Sequence, residues 1–87
     1  MTSVNSERRT QLKIIASILD ACCYRTSKTH VMYQCNMSSK QLEVYLDVIL
    51  KANLLLVEND CRSLRFRVSG KGKDFLKAYS SMMTILE

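Results

Sequence analysis

The feature that most constrains the fold is a change of period in the second half of the chain. The segment LRFRVS, residues 64–69, alternates strictly between apolar and polar side chains, as a half-buried strand does. The run LLLVEN, residues 54–59, is short, apolar and bounded by polar residues, and NDCRS between the two segments is typical of a turn. The sequence therefore predicts a β-hairpin, with Leu64, Phe66 and Val68 on one face of its second strand and Arg65 and Arg67 on the other.

The first of the helical segments is predicted to run from Ser6 to Tyr24. Ser6 can cap its N-terminus, and Glu7 suits the positive end of the helix. Its polar stripe is narrow, and apolar residues occupy most of the circumference: Leu12, Ile14, Ile15, Ala16, Ile18, Leu19, Ala21, Cys22 and Cys23. Such a helix is buried around most of its surface, which in an 87-residue domain indicates contact with a second chain.

The stretch from Ser27 to Cys35 predicts a short second helix, with Ser27 as its N-cap. The break that follows contains neither glycine nor proline. A third helix is predicted to begin at Ser38, where Ser38 and Gln41 match the capping box.

Neighbouring residues support this start and define the faces of the third helix. Met37 and Leu42 have the spacing of a hydrophobic staple, and Asn53 can adopt the left-handed conformation that ends a helix. The inner face is predicted to consist of Leu42, Tyr45, Leu46, Ile49 and Leu50, and the outer face of Lys40, Glu43, Val44, Asp47 and Lys51.

The last helix is predicted to begin near Gly70, with Ser69 as a cap, and to run towards Leu86. Apolar residues recur along it in steps of three and four, a seam of about two heptads. The core alone accounts for Phe75, Leu76 and Tyr79, but the later members lie beyond the expected edge of so small a domain. We therefore predict that Met82, Met83 and Leu86 extend an interface with a second chain that begins on the first helix, at Ile14 and Ile18.

The order helix, helix, helix, strand, strand, helix is that of a winged helix-turn-helix, a mainly α member of the α+β class. The hairpin is the wing of this fold. The length of the chain predicts one domain over 1–87, in which residues 70–87 form a C-terminal dimerisation helix.

The charge of the chain favours an anionic partner. The net charge is +5 and the isoelectric point about 9.2, which suits nucleic acid or an acidic membrane surface. The segment from Cys61 to Lys73 holds five basic residues and no acidic one. No apolar run approaches the roughly 18 residues of a membrane span, and the N-terminal residues lack the apolar core of a signal peptide, so the predicted location is the cytoplasm.

Catalytic and metal-binding arrangements are not indicated. The four cysteines form no Cys-x-x-Cys pair and His30 is the single histidine, so no metal or cofactor is expected. The cysteines are predicted to be small apolar fillers, with Cys61 the most exposed; an intermolecular disulfide at Cys61 is left open. His30 and Cys35 diverge by about 140° on one helix, and no phosphate-binding glycine loop is present, so neither an enzyme nor a small-molecule site is predicted.

From Ile14 to Tyr79 the chain contains Lys28-Thr29, Met32-Tyr33, Asn36-Met37-Ser38, Leu42, Leu46 and Ser69-Gly70-Lys71-Gly72. In these residues it resembles small archaeal winged-helix proteins of the ArnR-like class, which include the dimeric chromatin-associated DNA-binding proteins of Sulfolobus. The polar segment 25–27 departs from the apolar entry usual before the second helix. The resemblance implies a homodimer held by an antiparallel pair of C-terminal helices, with an interface that comprises Phe75, Tyr79, Met82, Met83 and Leu86.

In a fold of this kind the third helix enters the major groove of double-stranded DNA with its N-terminal residues near base edges. Lys40 can donate to guanine, and Glu43 can accept from cytosine or repel phosphate. The predicted readers are Ser39, Lys40, Glu43 and Val44; the predicted backbone or minor-groove contacts are Lys28, Thr29, Arg62, Arg65 and Arg67.

Three functions remain open at this point. The preferred one is a sequence-specific, homodimeric transcriptional regulator. A chromatin architectural protein, nucleoid-associated and of low specificity, is the second. The third is a protein–protein adaptor, which Glu43 and Asp47 favour because they place negative charge on the predicted reading face.

Overall fold

The computed structural model describes residues 2–60 and 63–86, with side chains over residues 10–59 and 64–86. The elements follow the predicted order and confirm a mainly helical winged helix-turn-helix with an antiparallel hairpin. They are α1 (Thr2–Ala21), α2 (Lys28–Cys35), α3 (Ser39–Lys51), β1 (Leu55–Asp60), β2 (Ser63–Val68) and α4 (Gly70–Leu86).

Both predicted ends of α1 are wrong. The helix begins at Thr2, so Ser6 lies inside it and is not its cap. It ends at Ala21 because the following residues pair with β2: the carbonyl of Cys22 accepts a hydrogen bond from the N–H of Val68 at 2.9 Å. Cys23 therefore falls in the turn and is exposed, which corrects its prediction as an apolar filler, whereas Cys22 is buried as predicted.

The polar segment between α1 and α2 pairs with β2 through one isolated antiparallel bridge, at Thr26. The N–H of Thr26 donates to the carbonyl of Phe66 at 2.9 Å, and the N–H of Phe66 donates back at 2.7 Å. Strand β2 is therefore hydrogen-bonded along both of its edges, by β1 and by this segment. No sequence pattern indicated this pairing.

The turn between α2 and α3 combines predicted caps with one residue that was not predicted. The Oγ of Ser27 accepts from the N–H of His30 at 3.3 Å, and both hydrogen bonds of the Ser38–Gln41 capping box are present at 3.2 Å. Asn36 ends α2 with φ 55°, the left-handed conformation that glycine usually supplies. Asparagine thus replaces glycine in this break.

The core lies between the three N-terminal helices and the inner face of the hairpin. Leu42, Leu46 and Ile49 of α3 are buried, while Tyr45 and Leu50 pack partly against them, which confirms the predicted inner face. The other buried apolar residues are Ala16, Ile18, Leu19, Ala21, Cys22, Val31, Leu54, Leu55, Phe66 and Val68. Ile18 is fully buried in this core, so it has no surface for a second chain and its prediction as an interface residue is wrong.

In the hairpin, Leu55 pairs with Val68, Val57 with Phe66 and Glu58 with Arg65. Phe66 and Val68 are buried on the inner face, whereas Leu64 on the same face is half exposed because it extends past the core. The side chains of Glu58, Arg65 and Arg67 share the opposite face. The predicted turn residues Cys61 and Arg62 lie outside the described part of the chain.

Ser69 joins the end of α3 to the start of α4. Its Oγ accepts from the N–H of Gly72 at 3.0 Å, as predicted for a cap, and donates to the carbonyl of Asn53 at 2.7 Å. Asn53 has φ 62°, as predicted for a helix end. Gly72 is buried, and a Cβ at this position would overlap the carbonyl oxygen of Leu54 and a methyl group of Val68. The absence of a side chain at Gly72 therefore allows α4 to approach the hairpin.

Candidate nucleic-acid interface

The outer face of α3 is the first part of the candidate site. The capping box fixes the start of α3, so its exposed residues project from a defined helix end. All of the predicted outer residues are exposed, namely Lys40, Glu43, Val44, Asp47 and Lys51, as are Ser39 and Val48. Two of these are branched apolar side chains: Val44 is 63% exposed and Val48 is 52% exposed.

Both carboxylates on this face are paired with lysines. The Nζ of Lys28, at the first position of α2, lies 3.0 Å from Oε1 of Glu43. The Nζ of Lys51 lies 3.0 Å from Oδ2 of Asp47, one turn away along α3. Because these pairs are exposed to solvent, they are weak and exchangeable, but they offset the negative charge on α3.

The outer face of the hairpin carries a second cluster of charges. Oε1 of Glu58 lies 3.1 Å from Nε of Arg25, and Oε2 lies 3.1 Å from Nη2 of Arg67. One carboxylate thus bridges two guanidinium groups, and the three residues together keep a charge of +1. Arg65 stands directly opposite Glu58 in the strand register and adds a further positive charge to this face.

A family model described as winged helix-turn-helix matches residues 8–87, which is most of the chain. The chain belongs to the winged helix-turn-helix family. Among solved structures it is similar to that of Sso10a-2, a DNA-binding protein from Sulfolobus solfataricus, with a TM-score of 0.78. The two chains are 22% identical over 85% of this chain and 78% of the other, so this likeness shows a shared winged-helix fold. No curated protein matches the chain.

In this winged helix, the predicted site residues fall into two sets. Lys28, at the start of α2, is joined to the outer face of α3, where Lys40, Glu43 and Val44 lie. Ser39 is exposed at the first position of α3. Thr29 is exposed beside Lys28 at the first turn of α2. Arg65 and Arg67 belong to the wing, and Arg62 is not among the described residues.

Sequence reasoning missed two residues of these surfaces. Val48 follows Val44 by one helical turn, a spacing visible in the sequence but not used. Arg25 reaches Glu58 only because Thr26 pairs with β2, a tertiary arrangement that leaves no pattern in the sequence.

The winged helix also exposes apolar residues along α4. Met82 is 41% exposed, Ile85 83% and Leu86 60%. An apolar groove of about 150 Å³ runs between α1 and α4, lined by Leu12, Phe75, Ala78, Tyr79 and Met82. The rings of Phe75 and Tyr79 are stacked there, with centroids 6.5 Å apart.

Over residues 2–60 and 63–86, no group of three or more His, Cys, Asp or Glu residues could hold a metal ion. Within the same residues, no helix is long and apolar enough to cross a membrane.

Two cysteine thiols are less acidic than usual. The pKa of the Cys22 thiol is raised to about 12, mainly by burial and then by the nearby Cys35 and Cys23 thiolates. The pKa of the Cys35 thiol is raised by burial and then by the Asp20 carboxylate.

Proposed function

We propose that this chain is a sequence-specific DNA-binding transcriptional regulator that acts as a homodimer. In this proposal α3 lies in the major groove, the start of α2 contacts phosphates and the wing contacts the backbone beside the groove. The protein then works on the chromosome in the cytoplasm, as a nucleoid-associated protein. Sso10a-2, whose fold the chain shares, is a DNA-binding protein, which supports the proposal.

The observation that carries the proposal is the pairing of the two carboxylates on α3. Glu43 and Asp47 would repel phosphates if they were unpaired, and they were the reason to consider a protein adaptor. Lys28 and Lys51 offset them, and Lys40 is a further exposed cation. Three lysines against two carboxylates leave this surface with a net charge of +1, which is compatible with the approach of DNA.

The proposed homodimer is supported by the exposed apolar flank of α4. The residues Ala78, Met82 and Ile85 lie on one side of this helix, next to the groove between α1 and α4. Burial of this flank and of Leu86 against a second copy would remove a continuous apolar surface from water. Phe75, Tyr79 and Met83 are half-buried beside it. Ile14 lines a different pocket, beside the turn between α2 and α3, so the interface proposed on α4 does not include it.

A titration of the full chain with duplex DNA at several salt concentrations tests the proposal. One duplex is a site selected from a random pool, and the others are unrelated sequences of the same length. We expect the selected site to bind at least about 100-fold more tightly than the others. Equal affinity for all duplexes would support the architectural role instead, and no binding even at low salt would support the adaptor.

A variant of the wing tests whether this surface contacts the phosphates of DNA. Replacement of Arg65 with Ala is expected to weaken binding to every duplex and to lower the salt slope by about one. Lys77→Ala removes an exposed lysine from α4 and is the matched control. An unchanged slope in Arg65→Ala would exclude this residue from the phosphate contacts.

A further inference from the structure

Two exposed valines on α3 are not explained by the core or by the ion pairs. Val44 and Val48 are 63% and 52% exposed, and they lie one helical turn apart on the side that faces away from Leu42, Leu46 and Ile49. Lys40 precedes Val44 by one further turn. The three side chains therefore follow each other along a single row of the helix.

This row lies on a different flank of α3 from Glu43. At about 100° per residue, Glu43 lies about 60° to one side of Lys40, whereas Val44 and Val48 lie about 40° and 80° to the other side. The ion pair with Lys28 shows that the Glu43 flank faces α2. Lys40 thus lies between the valines and Glu43, while Asp47, which is paired with Lys51, lies about 20° from Lys40 on the side of Glu43.

The chemistry of the major groove offers a matching ligand for such a row. Thymine is the base that places a methyl group in this groove, and apolar side chains recognise it by contact. Guanine presents two acceptors, O6 and N7, to a lysine. Lys40 and the ion-paired Lys51 lie beside the valines, and the net charge of +1 on this face favours a polyanion over an uncharged protein surface as its occupant.

We propose that Val44 and Val48 are specificity-determining residues that contact the C5 methyl groups of thymines, next to a guanine that Lys40 contacts. This proposal rests on the proposed DNA-binding function and names the class of sequence that is read. Glu43 is then the partner of Lys28 before DNA binds and does not read cytosine.

The test removes the methyl groups without changing base pairing. The full-length chain selects sites from a randomised duplex pool, and each thymine of the selected site is then replaced by uracil, which lacks only the C5 methyl. We expect at least two positions at which uracil weakens binding about fourfold, the value of one buried methyl group. Uracil in the flanking sequence serves as the control duplex.

Three variants connect this effect to the valines. Val44→Ala and Val48→Ala should each abolish the uracil effect at one position and leave it at the other. The matched control is Val57→Ala, which shortens a valine that is 45% exposed on the hairpin and should keep both effects. Circular dichroism checks that each variant is folded.

Each outcome decides between the two proposals. If the wild-type chain binds duplexes but uracil has no effect, or has the same effect in all variants, the reading of methyl groups is overturned and DNA binding stands. If the wild-type chain binds no duplex at low salt, the proposed function itself fails. If the row of Lys40, Val44 and Val48 bound a protein partner instead of DNA, the chain would likewise bind no duplex at low salt.

Discussion

The Nζ of Lys28 and the Oε1 of Glu43 lie 3.0 Å apart, and this ion pair links the first turn of α2 to the outer face of α3. Both side chains are partly exposed, at 35% for Lys28 and 61% for Glu43, so the pair contributes at most about 1 kcal/mol to the free energy of unfolding. A phosphate group can therefore replace the carboxylate as the partner of Lys28 when DNA binds.

This replacement predicts the effect of Glu43→Gln. The variant removes a negative charge near the DNA and leaves Lys28 available, so affinity for all duplexes should rise about two- to fivefold, and more at low salt. Fluorescence anisotropy titrations at two salt concentrations measure the affinity of the wild type and of the variant for duplex DNA. Asp74→Asn on α4 changes the net charge equally and should have a smaller effect; a tenfold loss of affinity in Glu43→Gln would instead show that Glu43 contacts a base.

The close contact at Gly72 predicts a large difference between two glycines of α4. Gly72→Ala should lower the free energy of unfolding by about 1–3 kcal/mol, because its Cβ would overlap the backbone of Leu54 and the side chain of Val68. Gly70→Ala meets no atom within 4 Å and should change it by less than about 1 kcal/mol in either direction. Urea denaturation followed by circular dichroism compares them, and equal effects would contradict this account of the junction.

The exposed flank of α4 predicts how the oligomeric state responds to charge. Met82→Glu and Ile85→Glu should each convert a homodimer to monomers, because each places a carboxylate in the proposed interface without a partner. Sedimentation velocity measures the mass. Thr84→Glu adds the same charge on the opposite side of the helix and should leave the dimer intact. A dimer that persists in both flank variants would place its interface elsewhere, with α1 the next candidate.

Burial of Cys22 predicts its reactivity and its effect at high pH. The thiol stays protonated in the folded chain up to about pH 12, against an ordinary pKa of 9.0, so iodoacetamide should modify it at least about tenfold more slowly than the exposed Cys23. Peptide mass spectrometry follows both thiols. The unfolded thiol ionises first, so the free energy of unfolding should fall as pH rises from 9.0 towards 12. Equal modification rates in folded protein would contradict the burial of Cys22.

The elements that were predicted well are those with local signals. The caps Ser27, Ser38 and Ser69 form hydrogen bonds with residues three positions away, so the starts of α2, α3 and α4 could be read from the sequence. The ends of α1 could not, because the end at Ala21 depends on pairing with a strand more than 40 residues later. Asn36 was not predicted as the end of α2, because a left-handed asparagine has a weaker sequence signal than glycine.

The candidate site also combines features that local sequence patterns predict with features that depend on the folded chain. The exposure of Lys40, Glu43 and Val44 follows from the period of α3 and could be predicted. Which charges are paired could not, because Lys28 meets Glu43 and Arg25 meets Glu58 only in the folded chain. The interpretation of the sequence therefore gave too much weight to the negative charge on α3, because it treated Glu43 and Asp47 as unpaired.

The hydroxyl of Ser69 has a consequence for how two copies could share one operator. It bonds both to the carbonyl of Asn53, two residues after the end of α3, and to the first turn of α4, so a single buried side chain links the two helices. In a dimer joined through α4, the distance between the two α3 helices would then be set by this junction and not by a flexible tether. Such a protein would tolerate base changes within a half-site more readily than the insertion of a base pair between half-sites.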